Sequence, residues 1–361
     1  MYYVDDINVK SREQYTALRT AVLDNFKGGV EFLLSKGASI EEVDSDDNNL
    51  LHIASSNGFN EVIKLLISYG IDVNSRGEKE RTPLYFATVN NLPDTADVLL
   101  QCGAQINMVD AKGRASLHYC AVDNKNMCEF LLMHNADVDI KDILRKTPLH
   151  YSAKHLNKET TDLLLQYGAN VNSCDQNGET PIFLALDSCN LREVPNLIPD
   201  EKETPHNRYL NKLKNKEYFE FLIANGANLN MKNNKGNTLL HDSSAYNNSE
   251  AIQFLVSHGA DINITDKSGD TPAHNASYYY CKESLEVLIE LGADINIKNV
   301  NGLTPLHHAA YKNNMEIVKI LVTNGADINA NNKHKVTPLV CAVTQDNMEI
   351  AHYLHSLGAT A

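Results

Sequence analysis

The chain repeats itself every 33 residues, and this period limits what it can fold into more than any other feature. Tetrads of the T-P-L-H kind begin at Thr16, Asn49, Thr82, Ala115, Thr147, Thr180, Thr238, Thr271, Thr304 and Thr337, with successive spacings of 33, 33, 33, 32, 33, 58, 33, 33 and 33 residues. A second marker, G-A-x-hydrophobic-N, keeps the same rhythm from Gly37 to Gly358. Two landmarks in register mean ten copies of one supersecondary unit. A unit this short cannot bury its apolar face alone, so it must stack on its neighbours.

Each landmark has a physical job. A Thr hydroxyl can cap the free N–H groups of a helix start, and Pro is tolerated at the first helical position. After a short loop comes a second apolar stripe at helical spacing, such as Glu316 to Val322, which makes each repeat a helical hairpin. Nine of the 18 glycines fall where the second helix stops, a place for the left-handed backbone. Five more, Gly113, Gly178, Gly236, Gly269 and Gly302, lie two residues before the next start, where a connecting finger turns.

The segment from Asn301 to Asn329, NGLTPLHHAAYKNNMEIVKILVTNGADIN, combines T-P-L-H, A-A, E-I-V and G-A-D-I-N. It resembles the ankyrin repeat family, and the resemblance extends over nearly the whole chain. The resemblance implies an all-α solenoid of stacked helical hairpins with projecting β-turn fingers. It also implies a non-catalytic adaptor or scaffold that binds a protein or peptide on its concave face. Weaker copies are expected to be looser: Asn49-Leu50 and Ala115-Ser116 replace Thr-Pro, Phe183 and Val340 replace His, and Asn135 replaces the stop Gly.

The domain reading is one solenoid over 1–361, with a capping repeat over 1–43, where the tetrad has decayed to Thr16-Ala17-Leu18-Arg19, and a last repeat over 337–361. No further domain is expected after the last repeat. The single break in rhythm is an insertion over 188–212 between the helices of repeat six, holding Pro195, Pro199, Pro205 and the run Asp200-Glu201-Lys202-Glu203. It is read as a tolerated surface loop that proteases cut first, the alternative being a docking loop.

A net charge of −14 argues against nucleic acid and acidic lipid as partners, and no apolar run reaches the length of a membrane span. Seven cysteines without a C-x-x-C pair fit reduced thiols and a cytoplasmic setting. Six histidines (His52, His118, His150, His241, His274, His307) occupy equivalent places in their repeats, too far apart to share an ion, so no metal site is expected. No phosphate-binding loop, nucleophile elbow or kinase motif occurs, so no catalytic residue, cofactor or small-molecule substrate is expected. An enzyme with an improvised site and a self-associating solenoid remain the alternative classes.

The candidate binding residues are aromatic. Tyr246, Tyr278, Tyr279 and Tyr311 lie seven or eight residues from their repeat starts, at the exposed end of the first helix, where other copies carry mostly polar residues. Tyr280 is read as filling a gap between repeats, and Phe86, Tyr119 and Tyr151 as packing. A second candidate is the finger tip with Ile143 and Leu144, beside Lys146, where polar turn residues are usual. Asp242, Asn275 and His308 are expected to form a polar ladder between repeats. The acidic run Glu41, Glu42, Asp44, Asp46 and Asp47 is read as a solvated edge, the alternative being a site that steers a basic partner segment, whose neutralisation would slow association at low salt and leave thermal stability almost unchanged.

Overall fold

Every tetrad opens a helix in the computed structural model, which describes residues 6–11, 15–188 and 216–360. Two compact units divide the chain, Met1–Asn170 and Val171–Ala361. The first unit carries repeats one to five, with first helices Ala17–Leu23, Leu50–Asn57, Pro83–Val89, Ser116–Cys120 and Pro148–Lys154. Their partners are Lys27–Ser35, Asn60–Ser68, Pro93–Gln101, Lys125–Met133 and Lys158–Gln166. The second unit carries repeats six to ten, with first helices Pro181–Ser188, Leu239–Ala245, Pro272–Tyr278, Pro305–Tyr311 and Pro338–Thr344. These pair with a helix over 216–224 and with Ser249–Ser257, Lys282–Glu290, Met315–Thr323 and Met348–Ser356. Of the insertion over 188–212, residues 189–212 lie outside the described residues.

Within each unit, first helices pack side by side in one layer and second helices in another. The core lies between the layers and is built from the repeated apolar positions, such as Leu306, Ala309, Ala310, Ile317, Val318 and Leu321 in repeat nine. All six are buried, and burying a side chain of the Leu or Ile class is worth about 1.5–3 kcal/mol.

The equivalent histidines tie one repeat to the next. In repeat eight the Thr271 N–H donates to His274 Nδ1 at 3.0 Å, while Nε2 faces the Leu303 carbonyl, also at 3.0 Å. His241 reaches the Asp270 carbonyl at 3.0 Å, His307 that of Val336 at 3.1 Å, and His118 that of Lys146 at 3.1 Å. One nitrogen must accept and the other donate, so each ring is neutral with its proton on Nε2. Burial lowers the pKa of His52, His118, His241, His274 and His307, against the opposing pull of the carbonyls they donate to. His274 is brought down to about 4.

The fingers close on themselves and on one another. Asn299 Oδ1 accepts the N–H groups of Asn301 and Leu303, both at 2.9 Å, and Asp142 and Asp266 do the same in their own fingers. Neighbouring fingers then join through backbone bonds such as Lys333 N–H to the Asn301 carbonyl at 3.0 Å. Gly302 permits that approach: its φ is +81°, and a Cβ there would sit 2.8 Å from the Lys333 nitrogen.

A row of asparagines links the segments after the second helices. Asn296 Oδ1 accepts the Asp327 N–H at 2.8 Å and its amide donates to the Gly325 carbonyl. Asn263 Oδ1 likewise accepts the Asp294 N–H, and Asn329 Oδ1 the Thr360 N–H. Asn8 serves Ser39 at 2.7 Å, so residues 6–8 act as the corresponding D-x-N of a repeat.

Three sequence expectations change. Asn49 caps its helix with Oδ1, accepting from Leu51 and His52, and Asn135 adopts φ +65° where glycine otherwise sits, so neither substitution removes the local device. Only the copy with Ala115, which has no hydroxyl, has a shortened first helix, Ser116–Cys120. The acidic run is also more than a solvated edge: Glu42 accepts from the Thr16 hydroxyl at 2.5 Å, and Asp44 holds its finger's N–H groups and lies 3.6 Å from Arg19.

Candidate protein-binding surface

The surface with the most unusual chemistry lies in the second unit, at the C-terminal ends of the first helices of repeats seven to nine. Four small residues, Ala276, Ser277, Ala309 and Ala310, are buried between these helices and their neighbours, and the large residues that follow are left toward solvent. Tyr246 is 37% exposed, Tyr279 55% and Tyr311 49%. Tyr278 is only half-buried, because its ring meets Tyr279 edge-on at a centroid distance of 5.0 Å and His308 at 5.6 Å. Tyr280 is corrected: it does not fill a gap but stands 54% exposed at φ +65°, its hydroxyl donating to the Lys312 carbonyl at 2.5 Å.

Beside these rings is a cleft of about 260 Å³, lined by Tyr278, Leu303, His307, His308, Tyr311 and Cys341. Lys312 Nζ lies 3.9 Å from the centre of the Tyr278 ring, which forms part of the cleft wall. Tyr278 raises the Lys312 pKa most, with smaller contributions from Tyr280 and Tyr311. Beneath the cleft, His308 Nε2 is 3.5 Å from Asp270 Oδ1, and Asn299 donates to the same oxygen at 2.7 Å. Burial opposes ionisation of Asp270, but these two neighbours hold its carboxyl below the ordinary range.

Asp270, His274 and His308 bring three potential ligand atoms within 4.8 Å of one another. Equivalent positions alone do not reveal this group, because His308 lies one residue beyond the place of the repeated histidines. His274 is committed on both nitrogens, and binding a cation at Nε2 would break its bond to Leu303 and force a proton onto Nδ1, which already accepts an N–H. An Asp–His pair remains, short of the three or four protein ligands of zinc sites. The expected polar ladder is partial: His308 reaches Asp270, and the Asn275 amide comes within 3.5 Å of the His241 carbonyl.

In the first unit, Tyr119 and Tyr151 are more than packing residues. Tyr119 donates to Asp110, and Tyr151 donates to Asp142 at 2.7 Å, so each joins a finger to its helix. Burial first, then these carboxylates, push both phenols well above their ordinary pKa. Tyr85 stands edge-on between Phe86 and Tyr119, with the Arg81 and Arg114 guanidiniums each 4.5 Å from the Tyr85 and Tyr119 rings. This half-exposed aromatic row was missed in the sequence, although the D-x8-Y spacing of Asp110/Tyr119 and Asp142/Tyr151 was a signal for it.

The finger with Ile143 and Leu144 presents both side chains, Ile143 at 63% exposure. Its backbone is anchored: Ile143 N–H donates to the Lys112 carbonyl at 3.1 Å, and Lys146 N–H to Asp142 at 2.8 Å. Lys146 is half-buried.

Models of the family described as ankyrin repeats (3 copies) match residues 2–77, 75–142, 117–206, 209–299 and 291–361. The chain belongs to the ankyrin repeat family, whose members typically mediate protein–protein interactions. An ankyrin repeat protein of Fowlpox virus (strain NVSL) is 33% identical over 81 residues, which is 22% of this chain and 12% of that protein's length. No helix among the described residues is long and apolar enough to cross a membrane.

Proposed function

We propose that the chain is a non-catalytic interaction scaffold that binds a protein or peptide through the first-helix face of repeats seven to nine. The observation that carries this reading is the exposure of Tyr246, Tyr279 and Tyr311 beside the half-buried Tyr278. Tyr combines a large contact area with a polar tip, and aromatic anchors dominate interface energetics. The finger residues Ile143 and Leu144, with Lys146, form a second contact point in the first unit. No catalytic, cofactor or small-molecule role is assigned, and the six free thiols among the described residues support a cytoplasmic setting.

The test replaces Tyr246, Tyr278, Tyr279 and Tyr311 together with Ser and measures partner capture and thermal stability. Loss of capture with an unchanged melting temperature is expected. Full capture by the quadruple variant rejects the surface. A stable homo-oligomer in light scattering that the same variant dissociates favours the self-associating alternative, with the tyrosines as the subunit contact.

A further inference from the structure

The tyrosine face is not uniform, and its charged member sets it apart. Among the described residues, four cations lie over tyrosine rings at 4.7 Å or less: Arg19 over Tyr15, Arg81 over Tyr85, Arg114 over Tyr119 and Lys312 over Tyr278. Three of them already have carboxylates: Arg19 lies 3.6 Å from Asp44, Arg81 3.1 Å from Glu78 and Arg114 3.0 Å from Asp110. Lys312 forms no ion pair with any described residue, and the groups that raise its pKa are phenols. It is a positive charge held against an aromatic wall with its ionic valence unspent. It stands in a chain whose net charge is −14.

Beside the Tyr278 ring that Lys312 covers lies the cleft. At about 260 Å³ it lies below the range of about 300–1,000 Å³ typical of small-molecule sites. It is open along the helix ends and walled by two phenol rings, Leu303 and the Cys341 thiol, surroundings that suit one large apolar side chain. The charge on Lys312 would then fix what stands next to it.

We infer that this face reads a two-part element in an extended segment of a partner protein: a large apolar side chain seated between Tyr278 and Tyr311, and a carboxylate close by in the segment that pairs with Lys312. The inference rests on the protein-binding reading above and names the chemistry of the segment bound. Tyr280 has a positioning role, since its hydroxyl bond to the Lys312 carbonyl holds the end of the helix that carries the cation.

The experiment selects a random peptide library displayed on phage against the full chain and, separately, against the Lys312→Glu and Lys312→Gln variants. Peptides pairing Leu, Met or Phe with a nearby Asp or Glu are expected from the wild-type chain. Their affinity should fall about fivefold or more on Lys312→Glu, and return when the peptide's acid is changed to Lys, as exposed pairs of about 1 kcal/mol allow. Lys312→Gln should lose the acidic preference and keep the apolar one. Peptides that depend on Tyr279 and Tyr311 but show no acidic preference, or the same preference on Lys312→Glu, overturn the inference while the binding surface stands. If no selected peptide is sensitive to any of the four tyrosines, both fail.

Discussion

Acidification should loosen this protein before its carboxylates protonate, because the imidazoles that join the repeats must be neutral. His274 is the clearest case, with both nitrogens engaged, no exposed side-chain surface, and a pKa of about 4 against an ordinary 6.5. Above pH 6.5 folded and unfolded chains are both neutral there, and the full contribution is present. As pH falls from 6.5 toward 4, the unfolded chain takes up a proton that the folded chain refuses, so stability drops. At 1.36 kcal/mol per pKa unit, His274 alone removes about 1.4 kcal/mol by about pH 5.5 and about 3 kcal/mol by about pH 4. His52, His118, His241 and His307 are shifted in the same direction and add to the loss. Asp270, whose pKa is lowered, gives up its own contribution only below the ordinary carboxylate range, so its effect falls in a separate, more acidic window. Urea unfolding followed by circular dichroism across this range should show the midpoint falling with pH. His274→Asn, less stable at neutral pH, should show a shallower fall, by about one proton. An unchanged wild-type midpoint between about pH 7 and pH 5, or equal slopes in the two proteins, would refute the neutral bridge.

Other perturbations separate features that look alike in the sequence. Gly302→Ala should cost clearly more than Gly325→Ala: both glycines have positive φ, but only the first would drive a Cβ to 2.8 Å from a backbone nitrogen, so the second should cost only about 1 kcal/mol by thermal melting. Glu42→Gln with Asp44→Asn should lower the melting temperature, whereas neutralising Glu41, Asp46 and Asp47 should leave it unchanged; equal effects would return the whole run to a solvated edge. Changing Ile143 and Leu144 to Ser should weaken partner binding if the finger is a contact, whereas lost stability at unchanged affinity would assign them to packing between fingers.

The parts of this fold that repeat were legible because repetition is itself a sequence signal. Helix starts, glycine stops and finger turns all lie at fixed offsets, and the alternation of hairpins follows from them. Contacts between repeats were harder to read. Asp270 and His308 are 38 residues apart at non-equivalent positions, so nothing in a comparison of like with like brings them together. The asparagines after the second helices carry no sequence sign of their contacts, yet Asn230, Asn263, Asn296 and Asn329 each accept an N–H from the next repeat. Among the tyrosines, consecutive residues 278, 279 and 280 follow one another around a helix end, where a single step changes the direction of the side chain. Offsets from the repeat starts do not separate these neighbours: the Tyr278 ring meets His308, whereas Tyr280 is exposed.

The central claim is that partners meet the first-helix face of the second unit. Site-specific photo-crosslinking tests it directly: a benzoylphenylalanine placed at Tyr279 or Tyr311, and as controls at Tyr167 and at Tyr353 on a second helix, is irradiated in cells. Protein adducts at 279 and 311, with none at the two controls, are the expected result. Adducts at 353 or 167 with none at 279 and 311 would contradict the claim and move the binding surface elsewhere.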